Sequence, residues 1–112
     1  MNSSWLKELG FTEENWSLRK GSMEDLFAVS VVEKECFPPL EAATEDSFRE
    51  RLKFYGNHFL LLYKGDQLIS FVDGFCTKEE NLTDLMYEDA SLHDEKGSWQ
   101  MIFGVNTIPS YR

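Results

Sequence analysis

The chain has 112 residues, of which 42% are hydrophobic and 14% aromatic, enough for the core of one folded domain over residues 1–112. Its formal net charge is −9 and its pI about 4.6, which argues against binding to nucleic acid or to an anionic membrane surface. This charge suits a cationic ligand such as an amine, although solubility alone is the simpler explanation of an acidic composition.

The two cysteines, Cys36 and Cys76, lie in apolar stretches and do not form a C-x-x-C motif. This pattern is typical of reduced core thiols in a reducing compartment, and a disulfide between them is the alternative. No stretch of the sequence approaches the roughly 20 apolar residues of a membrane span. The opening MNSSWLKELG lacks the apolar run of a signal peptide. We therefore expect a cytoplasmic protein.

The first elements in chain order are a short helix, a strand and a long helix. SSWLKELG predicts a helix ending at Gly10, and WSLRK predicts a strand over Trp16–Lys20. Ser22 followed by Asp25 resembles a capping box at the start of the long helix, and the two prolines of FPPLEAA end it. Apolar residues recur along this helix at near-helical spacing, at Leu26, Val29, Val32 and Cys36.

A second helix and a hairpin follow. Thr44 is a good N-cap and Gly56 ends the helix, whose apolar stripe is Phe48, Leu52 and Tyr55. HFLLLY is continuously apolar and predicts a strand that is buried on both faces. KGDQ predicts a turn into a second strand, LISFVDGFC, in which Gly74 marks a bulge or the close approach of another backbone.

The remaining chain is an acidic segment followed by a last strand. Between Lys78 and Lys96 there are seven acidic residues and no Lys or Arg, and a short helix through Leu82, Leu85 and Met86 is expected there. The last strand is predicted over Trp99–Thr107. The order strand, helix, helix, strand, strand, insertion, strand predicts an α+β or mixed α/β fold.

Three stretches resemble the GNAT superfamily of acyl-CoA N-acyltransferases over residues 16–112. SLRKGSMEDLFAVSVVEKECF is similar to its first strand and helix, FLLLYKGDQLISFVDG to its second and third strands, and MIFGVNTIPSYR to its fourth strand. Within the superfamily the sequence most resembles the serotonin (arylalkylamine) N-acetyltransferase-like group. That group has a proline-rich loop between its first two helices and an extended segment before its fourth strand.

The resemblance implies transfer of an acetyl group from acetyl-CoA to a primary amine, a small-molecule amine being favoured. It implies that the backbone of Val105, Asn106 and Thr107 holds the pantetheine arm of the cofactor. It also places a substrate-covering loop at Phe37, Pro38, Pro39 and Leu40. For that loop, a simple helix-stopping turn is an equal alternative.

The resemblance does not identify a catalytic base. The positions of the two relay histidines of the serotonin-type enzymes correspond to Met101 and Phe103, which cannot accept a proton. The remaining candidates for a proton acceptor are Asp73, Glu88, Asp89 and His93. An exposed loop histidine, a solvated acidic face and a relay through water are the alternatives.

No metal site is expected, because the spacing of His58, His93 and their acidic neighbours matches no zinc signature. The sequence ends where the resemblance places the glycine-containing loop that holds the pyrophosphate of coenzyme A. We therefore expect the N-terminal part of an acetyltransferase domain, one that binds acetyl-CoA poorly and is inactive by itself. The alternative is a non-catalytic interaction module that pairs through the open edge of its last strand, for example as a homodimer.

Overall fold

The structure is a computed structural model that describes residues 15–112. The helix predicted within residues 3–10 lies outside the described residues. The elements in chain order are β1 (Trp16–Lys20), α1 (Leu26–Cys36), α2 (Glu45–Tyr55), β2 (Leu60–Lys64), β3 (Gln67–Asp73), β4 (Cys76–Thr77), α3 (Asp84–Glu88), β5 (Trp99–Gln100) and β6 (Gly104–Thr107). Single 3₁₀ turns occur at Met23–Asp25, Gly56–His58, Ala90–Leu92 and Pro109–Tyr111.

The main sheet has the strand order β1-β2-β3-β6 with all neighbours antiparallel, and β4 pairs with β5 in a second, two-stranded sheet. This arrangement confirms the predicted α+β class and the predicted order of elements. None of the described helices is both long enough and apolar enough to cross a membrane. Both cysteines are free thiols.

Two predicted strands are each broken into two pieces. β3 ends at Asp73 and β4 begins at Cys76, while β5 ends at Gln100 and β6 begins at Gly104. A Cβ atom at Gly74 would lie 1.7 Å from the carbonyl oxygen of Met101, so the two backbones touch at the break. The prediction that Gly74 marks a close backbone approach is therefore confirmed, and the prediction of two continuous strands is wrong.

The helix ends follow the local signals in the sequence. The Ser22 N–H donates to Asp25 Oδ2 at 3.0 Å, although the first turn is 3₁₀ and α1 itself begins at Leu26. Thr44 Oγ1 accepts from the Ser47 N–H at 3.1 Å, as predicted for an N-cap. α3 is shorter than expected and leaves out Leu82.

The core lies between the two long helices and one face of the sheet. Phe48 of α2 packs edge-on against Phe71 of β3, and Glu33 of α1 contacts Asn106 of β6, so both helices cover the same face. The prediction that β2 is buried on both faces is wrong. Side chains alternate between the two faces of a strand, and the helices cover one face of the sheet. Leu60 of β2 points to the other face and is 41% exposed.

Candidate functional site

A cavity of about 490 Å³ opens where the α1–α2 loop meets the ends of β3 and α3 and the start of β6. The loop supplies apolar and acidic side chains, while the sheet and α2 supply a buried ion pair. The lining residues are Glu33, Phe37, Leu40, Glu41, Ala42, Ala43, Thr44, Ser47, Arg51, Asp73, Tyr87, Glu88, Phe103 and Gly104. The cavity therefore collects residues from most of the chain.

The floor of this cavity holds the ion pair of Asp73 and Arg51. Arg51 Nη1 donates to Asp73 Oδ2 at 3.0 Å, and the two side chains are 8% and 2% exposed respectively. The guanidinium lies over the rings of Phe48 and Phe103 and donates through Nη2 to the carbonyl of Tyr87. Burial raises the pKa of Asp73 to about 6, although the charge of Arg51 and its hydrogen bond favour the carboxylate.

A second buried carboxylate, Glu33, links the cavity wall to β6. Its Oε2 accepts from the Ala43 N–H at 2.7 Å, and its Oε1 accepts from Asn106 Nδ2 at 2.7 Å. The repulsion of Glu33 adds to the raised pKa of Asp73. Two buried carboxylates and one buried guanidinium leave this floor with a net charge of −1 when all three are ionised. Such a site favours a cation and raises the affinity of Asp73 for a proton.

Several residues that were predicted from the sequence to bind substrate or accept a proton line this cavity. Asp73 and Glu88 line it together with Phe37 and Leu40 from the α1–α2 loop. Pro39 and Phe37 line a neighbouring, mainly apolar cavity of about 280 Å³. Pro38 lines neither of these cavities, and its carbonyl accepts the turn hydrogen bond from the Glu41 N–H.

Asp89 and His93, which were also predicted as possible proton acceptors, lie outside this cavity. Asp89 Oδ1 accepts from the Ser91 N–H and caps a 3₁₀ turn, which gives Asp89 a structural role. His93 is not an exposed loop histidine, because its side chain is 7% exposed and its ring contacts those of Tyr55 and Phe75 at tilted angles. Neither residue lines the 490 Å³ cavity.

His93 instead forms a cluster with His58 and Glu95 whose donor atoms lie within 4.8 Å of one another. The sequence spacing did not indicate this grouping. His93 Nδ1 accepts from the Cys76 N–H, so Nε2 carries the proton that it donates to Glu95. Hydrogen bonds from His58 and His93 hold the pKa of Glu95 at about 2. In this arrangement His93 Nε2 lacks the lone pair that a metal ion requires, and the cluster is a hydrogen-bond network.

β6 lies at the edge of the main sheet, with no strand on its outer side in the part of the chain that the structure describes. The Ile108 N–H donates to Ile69 across the ladder, so by alternation Val105 and Thr107 direct their backbone groups outward and Asn106 directs its own toward β3. The Thr107 carbonyl already accepts from Arg112 Nε at 2.9 Å. Of the three predicted cofactor contacts, Val105 therefore fits an extended pantetheine arm best.

No protein-family profile and no curated protein matches the sequence. Solved structures do match the fold. The loading GNATL domain of CurA from Lyngbya majuscula superposes with a TM-score of 0.76 at 19% identity over 87% of this chain. A second match is the GphF GNAT-like decarboxylase in complex with isobutyryl-CoA, with a TM-score of 0.75 at 20% identity over 86% of this chain. The fold is GNAT-like.

The chain spans about half the length of these GNAT-like domains, since it covers 50% of each. At this level of identity the similarity shows the fold alone, and a GNAT-like fold can carry different chemistry. The resemblance to the serotonin-type group remains a prediction.

Sequence reasoning missed two residues of the cavity floor, Glu33 and Arg51. Both lie on the buried faces of their helices, Glu33 four residues after Val29 and Arg51 three residues after Phe48. A charged residue within an apolar helical stripe is uncommon unless it is paired. A charged residue at a buried position of each helix was therefore the feature of the sequence that could have identified Glu33 and Arg51.

Proposed function

We propose that this chain carries the amine-binding part of an acyl-CoA-dependent N-acyltransferase that transfers an acetyl group from acetyl-CoA to a primary amine. The supporting observation is a buried floor of net charge −1 that lies beside the outward-facing edge of β6. An ammonium group compensates the negative floor, and the edge offers backbone groups to an extended cofactor arm. The isobutyryl-CoA bound by the GphF enzyme is consistent with an acyl-CoA ligand for this type of fold.

In this proposal Asp73 binds the amine and accepts its proton. The amine nitrogen then attacks the thioester carbonyl, so that a C–N bond forms and the C–S bond breaks. The second proton that the nitrogen loses leaves with the sulfur as the thiol. With a pKa of about 6, Asp73 is mostly ionised at neutral pH and is a suitable acceptor. Glu88 attracts the cation at the mouth, while Phe37 and Leu40 contact its apolar part. The backbone of Val105 holds the pantetheine arm.

The test is a calorimetric titration of 2-phenylethylamine into the chain and into its Asp73→Asn variant. We expect the substitution to weaken binding about tenfold or more, because a hydrogen bond to a charged group contributes roughly 1.5–3 kcal/mol. Asp66→Asn, in the exposed β2–β3 turn, is the matched control and should bind like the parent. Circular dichroism shows whether Asp73→Asn still folds, and Glu88→Gln gives a second variant without a buried change.

Equal affinity of the parent and of both cavity variants would contradict the amine site. A parallel incubation with malonyl-CoA, an acyl-CoA whose free carboxylate can leave as carbon dioxide, distinguishes the chemistry. Release of carbon dioxide without consumption of the amine would favour a decarboxylase, which is the activity named for the GphF protein.

A second candidate function is a non-catalytic assembly module that pairs through β6, for example as a homodimer. Apolar side chains are exposed on or next to this edge strand. Val105 is 66% exposed and Ile102 is 49% exposed. An open strand edge with apolar side chains favours pairing with another chain.

A further inference from the structure

A second cavity, of about 200 Å³, continues the first one along the beginning of α2. Its lining residues are Asp46, Ser47, Glu50, Arg51, Tyr87, Glu88 and Ala90. Four of them also line the 490 Å³ cavity, namely Ser47, Arg51, Tyr87 and Glu88. The two cavities therefore adjoin, and together we call them the groove. Asp73 lines only its inner, larger part and Glu50 only its outer, smaller part.

Along this groove, the carboxylates outnumber the basic side chains that pair with them among residues 15–112. Arg51 pairs with Asp73 at the inner end, and at the outer end Arg49 pairs with Asp46. Glu50 and Glu88 have no ion-pair partner within residues 15–112, and both are exposed. Within the described residues, the groove thus has two carboxylates without an ion-pair partner at its outer part, in addition to the negative floor at its inner part.

The inner end has, independently, a buried hydrogen-bond acceptor that no donor among the described residues contacts. Asn106 is 1% exposed, and its Oδ1 has no hydrogen-bond partner among the described residues. Its orientation is set by Glu33, which accepts from the amide nitrogen and so directs Oδ1 the other way. Oδ1 lies 3.2 Å from the position that a Cβ atom would take at Gly104, and Asp73 Oδ1 lies 3.4 Å from the same point. Two acceptors therefore converge beside a glycine that lines the groove.

We propose that the amine of this site is a diamine or polyamine that binds along the groove with an ammonium group at each end. The inference rests on the proposed amine function and specifies its substrate class. The inner ammonium lies beside Asp73 at Gly104, and the outer ammonium lies between Glu88 and Glu50. The methylene chain passes Tyr87, which borders both cavities. A monoamine leaves the outer carboxylates without a partner.

The experiment compares 1,4-diaminobutane and spermidine with n-butylamine by calorimetry, using the full chain. We expect the diamine to bind about fivefold more tightly than the monoamine, since exposed ion pairs contribute up to about 1 kcal/mol. The Glu50→Gln/Glu88→Gln double variant should reduce this ratio to about one. The matched control is Glu79→Gln/Glu80→Gln, which removes two exposed charges that line neither cavity and should keep the ratio. Added salt should lower the ratio in the parent chain.

The outcomes separate the two proposals. If the monoamine and the diamine bind equally well, the amine site stands and the diamine inference is overturned. The same holds if the diamine keeps its advantage in the Glu50→Gln/Glu88→Gln variant. If none of the three amines binds while 2-phenylethylamine does, the diamine inference is overturned and the amine function stands. If 2-phenylethylamine also fails to bind, the amine function itself is wrong. Loss of the advantage in the Glu79→Gln/Glu80→Gln control would assign the effect to net charge and would also overturn the inference.

Discussion

At the scale of single residues, the molecule concentrates its buried charge in one place. Asp73, Arg51 and Glu33 come from a strand and two helices, and each would be costly to bury alone. Together they form an ion pair and three hydrogen bonds to neutral groups. The arrangement leaves one negative charge uncompensated, and perturbed carboxylates of this kind are typical of functional sites.

The titration of Asp73 gives a prediction about stability. Its folded pKa of about 6 exceeds its ordinary value of 3.8, so the folded state binds the proton more tightly than the unfolded state. The free energy of unfolding of the parent chain should therefore fall as the pH rises from about 4 to about 6. In Asp73→Asn this fall should be absent. Urea unfolding at several pH values measures it, and an unchanged slope in the variant would contradict the prediction.

Glu95 provides an internal comparison, because its pKa is lowered in the folded state whereas the pKa of Asp73 is raised. Its folded pKa of about 2 lies below its ordinary value of 4.5, so its contribution is present above about pH 4.5 and is lost as the pH falls toward 2. Glu95→Gln should remove this dependence at low pH and leave the fall between about pH 4.5 and 6 unchanged. The two windows overlap only between about pH 3.8 and 4.5, so measurements below and above that range separate the two groups.

At the scale of elements, the decisive feature is the break that β3–β4 and β5–β6 share. The two segments remain hydrogen-bonded across the break, since the Met101 N–H donates to the Phe75 carbonyl and the Phe103 N–H donates to the Asp73 carbonyl. The break ends β3 at Asp73 and starts β6 at Gly104, which places both residues on the cavity. A continuous, regular pair of strands would direct these residues differently.

Gly74 is the residue that permits this break. Gly74→Ala should destabilise the fold by more than about 3 kcal/mol, because its Cβ would overlap the Met101 carbonyl at 1.7 Å and backbone atoms must move. Gly65→Ala is the control. It has a positive φ of 57° but no atom within 4 Å of the added Cβ, so about 1–2 kcal/mol is expected. Chemical denaturation of both variants measures the difference, and similar losses would show that the contact at Gly74 is easily relieved.

At the scale of the whole molecule, α1 and α2 cover one face of the sheet, and its outer strand β6 has no further strand beside it within residues 15–112. The exposed residues Leu60 and Val105 lie on the face that the helices leave open. Edge strands with apolar side chains promote association unless charged residues or proline interrupt them. This property favours the assembly candidate and is compatible with the amine site.

The assembly candidate predicts self-association through β6. The chain should form dimers at high concentration, and Val105→Lys should shift the population to monomer, because an edge lysine opposes strand pairing. Leu85→Lys on α3 is the control, since Leu85 is 56% exposed and is not part of the main sheet. Size exclusion with light scattering measures the mass. A parent chain that is monomeric at high concentration would contradict pairing through β6.

Local signals in the sequence determined the elements and their order. The Thr44 cap, the prolines after α1 and the 3.6-residue stripe of Phe48 and Leu52 all act within a few residues, and the structure confirms each of them. The contact at Gly74 was also predictable, because glycine within an apolar strand is unfavourable without a steric reason. Asp73 was nominated, but only as one of four candidates of similar standing.

Tertiary structure alone decided which of those candidates share a site. Asp73 and Arg51 are 22 residues apart in the chain, and Glu33 and Asn106 are 73 apart, so no local pattern relates them. These four residues lie close together because α1 and α2 pack on one face of the sheet. His93 packs against Tyr55 instead and therefore belongs to a different cluster. Side-chain chemistry is encoded locally, but its convergence depends on long-range contacts that bury charges only where they find partners.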